Sequence, residues 1–357
     1  MIPLSMENTS KFDFSFWKNK SVAVTGGASF IGSHLVDKLT EAGAHTIVLD
    51  NFSSGLIENL NDSKDSVEIK KIDLEWCDNS TLSKALVGVD VVFHLAAIHG
   101  GRGFIDTHPA DVCSNFAIDH HILESSLQAG VKKVVMASSA CVYPPNLQSE
   151  YGSDYQLEEL DTDPHKLEDP LSADIEYGWA KLMGEMQLLA FHKQYGLGGS
   201  SVRFVTAYGP RENETHAIIA LIYKAVEHMD QYAIWGNGEQ DRDFTYVSDI
   251  VNGTLLAAEK INNCDSINLG TGKRYKLKEV AEEIFSAINW HPKSIKLEMD
   301  KPIGVVSRSL NISKALKILG WKPEVSLKDG INKTISWYLK THKLTGKVSD
   351  KLLLERN

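Results

Sequence analysis

The segment Thr25-Gly26-Gly27-Ala28-Ser29-Phe30-Ile31-Gly32 limits the fold of this chain more than any other. It lies between the apolar run Ser21-Val22-Ala23-Val24 and an amphipathic stretch at 33–42. A buried strand, a glycine turn and a helix in that order make an anion-binding unit. The glycines permit a tight turn, and backbone N–H groups at the helix N-terminus face a pyrophosphate. The next apolar run, Thr46-Ile47-Val48-Leu49, ends at Asp50. An acid at the end of that strand binds a ribose diol and repels a 2′-phosphate, which favours NAD over NADP. The rival reading is a plain glycine turn with a capping aspartate. Ser29 stands where a glycine is usual, and its side chain is expected to loosen or reorient the phosphate contact.

Further strands are expected at 67–72, 89–93, 131–136, 202–207, 233–235 and 266–269, with helices at 119–129, 177–195, 216–228 and 277–288. Continuous apolar strands alternating with helices indicate a parallel sheet covered on both faces. The expected fold is α/β, a Rossmann-type doubly wound parallel sheet with a smaller C-terminal substrate-binding lobe. Residues 17–209, with 243–270 returning, would form the NAD-binding domain. Residues 210–242 and 271–345 would form the lobe, leaving 1–16 and 346–357 as tails. The acidic stretch 148–174, with Pro164 and Pro170, reads as a long loop, either a solvated insertion or a lid.

At 357 residues and 43% hydrophobic, the chain can build a large core. Its net charge of -10 argues against a general nucleic-acid binder. Cys77, Cys113, Cys141 and Cys264 show no C-x-x-C pairing, which argues against a disulfide framework or a metal site. No signal peptide is apparent, and no apolar run reaches the roughly 18 residues that span a bilayer. The expectation is a cytoplasmic protein with no membrane partner.

Two further segments carry chemistry. Ser138-Ser139-Ala140-Cys141-Val142-Tyr143-Pro144 offers a hydroxyl and a thiol two residues apart, which a strand end would place on one face. Tyr177 and Lys181 lie one helical turn apart. A lysine beside a tyrosine is expected to lower the phenol pKa and make Tyr177 a usable acid or base. Each candidate has a bland rival: Cys141 as a buried filler, His216 as an ordinary residue at a helix start, Arg102 as surface charge. His94 reads as structural.

Over residues 20–325 the chain resembles an extended short-chain dehydrogenase/reductase of the NAD-dependent sugar-nucleotide epimerase/dehydratase family. The segments that carry the resemblance are 25–32, Asp50-Asn51-Phe52-Ser53-Ser54-Gly55, Asp73-Leu74, His94-Leu95-Ala96-Ala97, Tyr177 with Lys181, Tyr208-Gly209-Pro210 and Asp243-Phe244-Thr245-Tyr246-Val247. The resemblance implies an NAD site lined by Gly26, Ser29, Phe30, Ile31 and Gly32, by Asp50, Asn51, Phe52 and Ser53, and by Leu95, Ala96 and Ala97. It also implies that Asp73 and Leu74 contact the adenine, that Lys181 holds the nicotinamide ribose, and that Ser139 orients a sugar hydroxyl beside Tyr177. A homodimer built on the helices near Asp119 and Tyr177 is implied in the same way.

The shared chemistry of that family is reversible oxidation of a sugar carbinol to a ketone, which acidifies the neighbouring C–H bonds. The Asp-Glu pair usual in 4,6-dehydratases is replaced by Ala140-Cys141, which disfavours elimination. The run around Cys141 is similar to the GDP-mannose 3,5-epimerase and GDP-fucose synthase families, where the cysteine works on the α-carbon. Gly100-Gly101-Arg102 resembles a sugar-contacting loop of the former. His216 stands where the former has a lysine and the latter a histidine, and Thr206 replaces an asparagine. Lys224, Arg242 and Arg308 match positions that hold the diphosphate, and Gln240 belongs to a similar hairpin. The resemblance therefore implies a nucleotide-sugar epimerase that oxidises C4 transiently and inverts C3, C5 or both, on a substrate such as GDP-mannose. A 4-epimerase, a 3,5-epimerase/reductase of a 4-keto sugar and a non-catalytic NAD sensor remain the alternatives.

Overall fold

The computed structural model describes residues 13–163 and 171–342. Pro164, Pro170 and the tail from 346 onward lie outside the described residues, as do residues 1–12. The central sheet contains β1 (Ser21–Thr25), β2 (His45–Asp50), β3 (Val67–Lys71), β4 (Val91–His94), β5 (Lys133–Ser139), β6 (Gly198–Phe204) and β7 (Ser266–Leu269). Its order is β3-β2-β1-β4-β5-β6-β7, and every neighbouring pair is parallel. The chain doubles back between β1 and β4, where Thr25 pairs with His94. In such sheets ligands bind in the crevice beyond the strand ends at that switch point.

Helices cover both faces: α1 (Phe30–Glu41), α2 (Asn115–Ala129), α3 (Ile175–Tyr195) and, on the return, α5 (Val247–Lys260), with α4 (Ala217–Val226) between α3 and α5 in sequence. The helix α1 turns Leu35, Val36 and Leu39 into the core, the spacing of one apolar helix face. Beside the main sheet lie three small ones. Thr206–Tyr208 pairs with Phe244–Tyr246, and Gln231–Trp235 pairs with Ser294–Glu298. Asp241–Arg242 lies between Tyr275–Lys276 and Ser307–Arg308. The helices α4, α6 (Leu277–Ile288) and α7 (Leu327–Thr341) pack with them.

Three expectations change. The strand expected at 202–207 is two strands in different sheets, and the first begins at Gly198. Its start, Gly198-Gly199-Ser200-Ser201, reads like a turn, yet all four residues are buried. The leader expected at 1–16 ends in a helical turn, Phe14–Trp17, capped by Asp13. Trp17, at the edge of that leader, is fully buried and donates from its indole to Glu259 at 2.7 Å. The described part of the long acidic loop is exposed at 149–152, 154, 155, 158 and 160 yet is pinned to the body of the protein. Leu157 is buried, donates to Ser309 O at 2.9 Å and forms a bridge with Leu310.

A buried ionic network ties that loop to the sheet. The Arg203 guanidinium on β6 grips Glu185 of α3 with two bonds, at 2.9 and 2.7 Å. It also donates to Tyr143 at 3.0 Å and Thr162 at 2.8 Å. Ser138 and Ser266 donate to the same carboxylate, and Tyr143 donates to Asn268 at 2.6 Å. Thus β5, β6, β7, α3 and the loop meet at one paired charge, directly beneath Ser139. Removing one partner of a buried pair leaves the other charge uncompensated. Arg203→Met is expected to lower unfolding stability by about 3–5 kcal/mol, read as a fall in the urea midpoint at unchanged slope.

Candidate active site

The cofactor cradle is built at the ends of β1, β2, β3 and β4. Gly26 has φ +65°, and a side chain there would meet the backbone of Ala96, just beyond the end of β4. A side chain at Gly32 would collide with the carbonyl of Gly26, so the first turn of α1 can close on the loop only with glycine there. Ser29 caps α1 in an extended conformation and donates its hydroxyl back to Gly26 O. Its side chain is thereby turned into the loop. Asp50 accepts from the backbone of Ala28 at 2.9 Å and of Phe52 at 2.8 Å. Asn51 donates to Asp73 at 3.0 Å and accepts from Ser53 at 2.9 Å, which brings these residues beside buried Leu74. Phe30 and Ile31 open α1, and Leu95 and Ala96 donate to Thr25 Oγ1, each at 3.1 Å. Ala97 follows at the same strand end. Close backbone approach and an acid one strand over fit a dinucleotide.

Beneath the cradle runs a chain from Thr25 through His94 to Asp119, with bonds of 2.8 and 3.0 Å. All three side chains are buried, and they join β1, β4 and α2. His94 is thus part of the frame.

Ser139 ends β5, and the expected shared strand face with Cys141 is not what forms. Residues Ala140–Val142 turn into a short 3-10 helix, whose start is fixed by the Cys141 N–H donating to Ser139 Oγ at 3.1 Å. The next contact sets the site. The Asp174 N–H donates to Cys141 O at 2.8 Å, and Gly178 presses its Cα onto the same carbonyl. Tyr177 is thereby seated beside Cys141, with Lys181 one turn further along α3. Neither the Tyr177 hydroxyl nor the Lys181 ammonium has a hydrogen-bond partner among the described residues.

The expected lowering of the Tyr177 phenol by Lys181 is not found. Burial pushes that phenol well above its ordinary value, and the charges of Cys141 and Asp119 push the same way. Lys181 is itself lowered by burial, against the opposing charges of Asp119 and Glu185.

His216 caps α4 and lies close to Gly101. Its Nδ1 meets Glu212 Oε1 at 3.1 Å, and its ring lies 6.2 Å from that of His99. His99 in turn is close enough to Lys181 for the ammonium to lower its pKa, after burial and His216. Burial works to lower the His216 pKa, but the hydrogen bond and charge of Glu212 outweigh it and hold it above its ordinary value. No hydrogen bond joins Cys141 and His216. Cys141 adjoins Tyr177, and His216 reaches Lys181 through His99.

The basic residues separate. Arg308 donates to Cys141 Sγ at 3.4 Å and Asp174 at 2.9 Å. Arg102, expected at the sugar, pairs with Asp106 at 2.8 Å and Asp174 at 2.9 Å. Arg242 donates to the carbonyls of Asp241, Ile303 and Val305. Burial, then the nearby Arg308, push it down to about 10 despite Asp241. Lys224 lies apart from this group and donates to Ala233 O at 2.7 Å. Gln240 donates to Trp235 O, and its carbonyl is buried without a partner. Thr206 pairs with Phe244, while Gly100 lies against Phe104 and Gly101 against Thr215. A groove of about 400 Å³ opens past Arg102, Gln148 and Asp174. His99, Glu212 and Asp174 were missed in the sequence. Only the placing of Glu212 four residues before His216 carries a signal there.

Residues 22–270 match the NAD-dependent epimerase/dehydratase family, and the chain belongs to it. It is a nucleotide-sugar epimerase/dehydratase family member whose cofactor is NAD. It is 31% identical to GDP-mannose 3,5-epimerase 1 of Oryza sativa subsp. japonica over 330 residues, 90% of this chain and 83% of that protein. The UDP-glucose 4-epimerase of Thermotoga maritima, solved with UDP-glucose, superposes with a TM-score of 0.79 at 31% identity. That match covers 90% of this chain and 99% of the other. The Thermus thermophilus UDP-glucose 4-epimerase, in complex with NAD, matches with a TM-score of 0.76 at 25% identity, over 90% and 100% of the two chains. No helix among the described residues is long and apolar enough to cross a membrane.

The Glu212–His216 contact is open to direct measurement. His216 should titrate above about 6.5 in the imidazole NMR spectrum. Glu212→Gln should bring it down. An unchanged His216 pKa in that variant would show that the carboxylate does not hold the proton there.

Proposed function

We propose that this protein is an NAD-dependent nucleotide-sugar epimerase that oxidises C4 transiently and inverts C3, C5 or both, on a nucleoside-diphosphate hexose such as GDP-mannose. The observation that carries the reading is the pairing of environments: a thiol beside a guanidinium, and an imidazole beside a buried carboxylate. Inversion next to a ketone calls for a base on one face and an acid on the other, and these two groups differ in that sense.

NAD, when bound, supplies the acceptor and donor of hydride. Ser139 orients the C4 hydroxyl, Tyr177 takes its proton and later returns it, and Lys181 holds the nicotinamide ribose. Burial makes Tyr177 a firm holder of its proton. Lys181 stands one turn further along the same helix. Cys141 and His216 then move protons at the carbons beside the ketone. Arg242, bonded only to backbone carbonyls, is offered to the diphosphate with Lys224 at the rim. Gln240, Thr206 and the loop at Gly100 and Gly101 shape the sugar pocket. Residues 210–242 and 271–345 are read as the substrate lobe, since Arg242 and Arg308 come from it or its edge.

Exposed Trp179, Met183, Met186 and Leu189 form an apolar stripe on α3, which supports a homodimer through that helix. The similarity to UDP-glucose 4-epimerase favours one second reading, a 4-epimerase without C3 or C5 chemistry.

Turnover in D₂O separates the two. The proposal expects solvent deuterium at C3 or C5 of the recovered sugar, and a 4-epimerase leaves both carbons unlabelled. Cys141→Ser and His216→Ala should each slow label entry by about 10²–10⁴-fold, measured by mass spectrometry of the sugar.

A further inference from the structure

Among the described residues, the strand Ser294–Glu298 has one neighbour, the parallel strand Gln231–Trp235, so its other edge is open. The Ser294 N–H donates to Asp230 O at 3.1 Å, and the Gly236 N–H donates to Glu298 O at 2.8 Å. Residues 294, 296 and 298 thus turn their backbone groups to that neighbour, and 295 and 297 turn theirs outward. The side chains alternate as well. Ile295 and Leu297 stand in register with Tyr232 and Ile234, which are buried in the core with residues of α4 and α6. The apolar face runs on past its cover. Ile295 is 43% exposed, Leu297 48%, and Met299, just after the strand, 68%. The opposite face carries Lys296 and Glu298, 3.2 Å apart. An open edge with an apolar face is a template for another strand.

We propose that this edge pairs with the same edge of a second copy of the chain, antiparallel about a two-fold axis at Leu297. Outward-turned residues meet as hydrogen-bonded pairs in an antiparallel ladder, and two registers satisfy that rule. An axis at Lys296 sets two ammonium groups directly opposite one another. An axis at Leu297 sets Lys296 opposite the partner's Glu298, twice by symmetry, with Ile295 opposite the partner's Met299. Like charges facing across a ladder destabilise it and opposite charges stabilise it, so charge selects the second register.

The other charges around the edge leave this choice intact. Lys224 lies near enough to Glu298 to feel its charge. Lys278, paired with Glu239, borders the apolar face near Leu297. Past the strand ends Lys293 would approach the partner's Lys301, but Asp230 already holds Lys293 at 2.5 Å. Each copy brings one short strand, so the contact is of the small, concentration-dependent kind. It uses none of the residues of the apolar stripe on α3.

Leu297→Cys tests the axis. Residues opposite one another in a hydrogen-bonded pair have Cα atoms about 5.5 Å apart, within disulfide reach. Mild oxidation should join Leu297→Cys into covalent pairs, while Lys296→Cys and the wild type, with its own four cysteines, join far less. Adding Lys296→Glu should lower the yield of the Leu297→Cys pair several-fold, and adding Glu298→Lys to that variant should restore it. No joining by Leu297→Cys, equal joining by Lys296→Cys, or a charge exchange that fails to restore the yield overturns the proposal. The wild type gives a second readout that needs no substitution. Amide exchange over residues 293–299 should slow as protein concentration rises. Exchange that is equally fast at every concentration shows an open edge, and exchange that is equally slow shows another segment of the same chain on it. Either result overturns the proposal.

Discussion

The contact between the Cys141 carbonyl and the start of α3 is the one on which the rest of this site depends. It consists of one hydrogen bond from Asp174 and the bare Cα of Gly178. Any side chain at Gly178 would push α3 off the turn that follows β5. Tyr177 and Lys181 ride on that helix, Cys141 and Ser139 on that turn, and Asp174 immediately before the helix carries both Arg102 and Arg308. A single close approach of two backbones therefore sets the distances among the groups of the proposed chemistry. Such an approach is set by excluded volume, which is stiffer than any surface ion pair.

Two buried polar frames hold this contact in place. Thr25, His94 and Asp119 join β1, β4 and α2 below the cofactor cradle. Arg203 and Glu185 join β5, β6 and α3 below Ser139. The first lies at the β1/β4 switch point and the second two strands further along, and each links α2 or α3 to the sheet. Most of their polar groups pair with one another, which offsets much of the desolvation cost of burying them. The cleft above can then bring together groups of opposite character: a thiol among cations and an imidazole against a carboxylate.

Much of the frame is legible in the sequence because it is local. The glycine turn at 25–32, Asp50 at the end of β2 and the Tyr177–Lys181 spacing each depend on a few neighbouring residues. The doubly wound parallel sheet follows from apolar runs separated by helical stretches. The start of β6 hides because two glycines and two serines look like a turn, yet they are buried where the sheet leaves no room for larger side chains. The behaviour of Tyr177 is not legible at all. Its neighbour Lys181 suggests a lowered pKa, whereas its burial, a property of the tertiary structure, sets the opposite direction. Arg308 is likewise assigned to a phosphate by position alone. Its partners Cys141, Asp174 and Gln148 are 134–167 residues away along the chain, and only folding shows that its fork is already in use.

The central claim is that two proton-moving devices share one cleft and act in succession. Mixing NAD-loaded Cys141→Ser with an accepted nucleotide sugar tests it most directly, by following the near-ultraviolet absorbance of reduced nicotinamide. The account expects that absorbance to rise and persist while no C3- or C5-inverted sugar forms, because C4 oxidation proceeds and the next step is blocked. Full turnover by this variant, or no reduced nicotinamide at all, would contradict it.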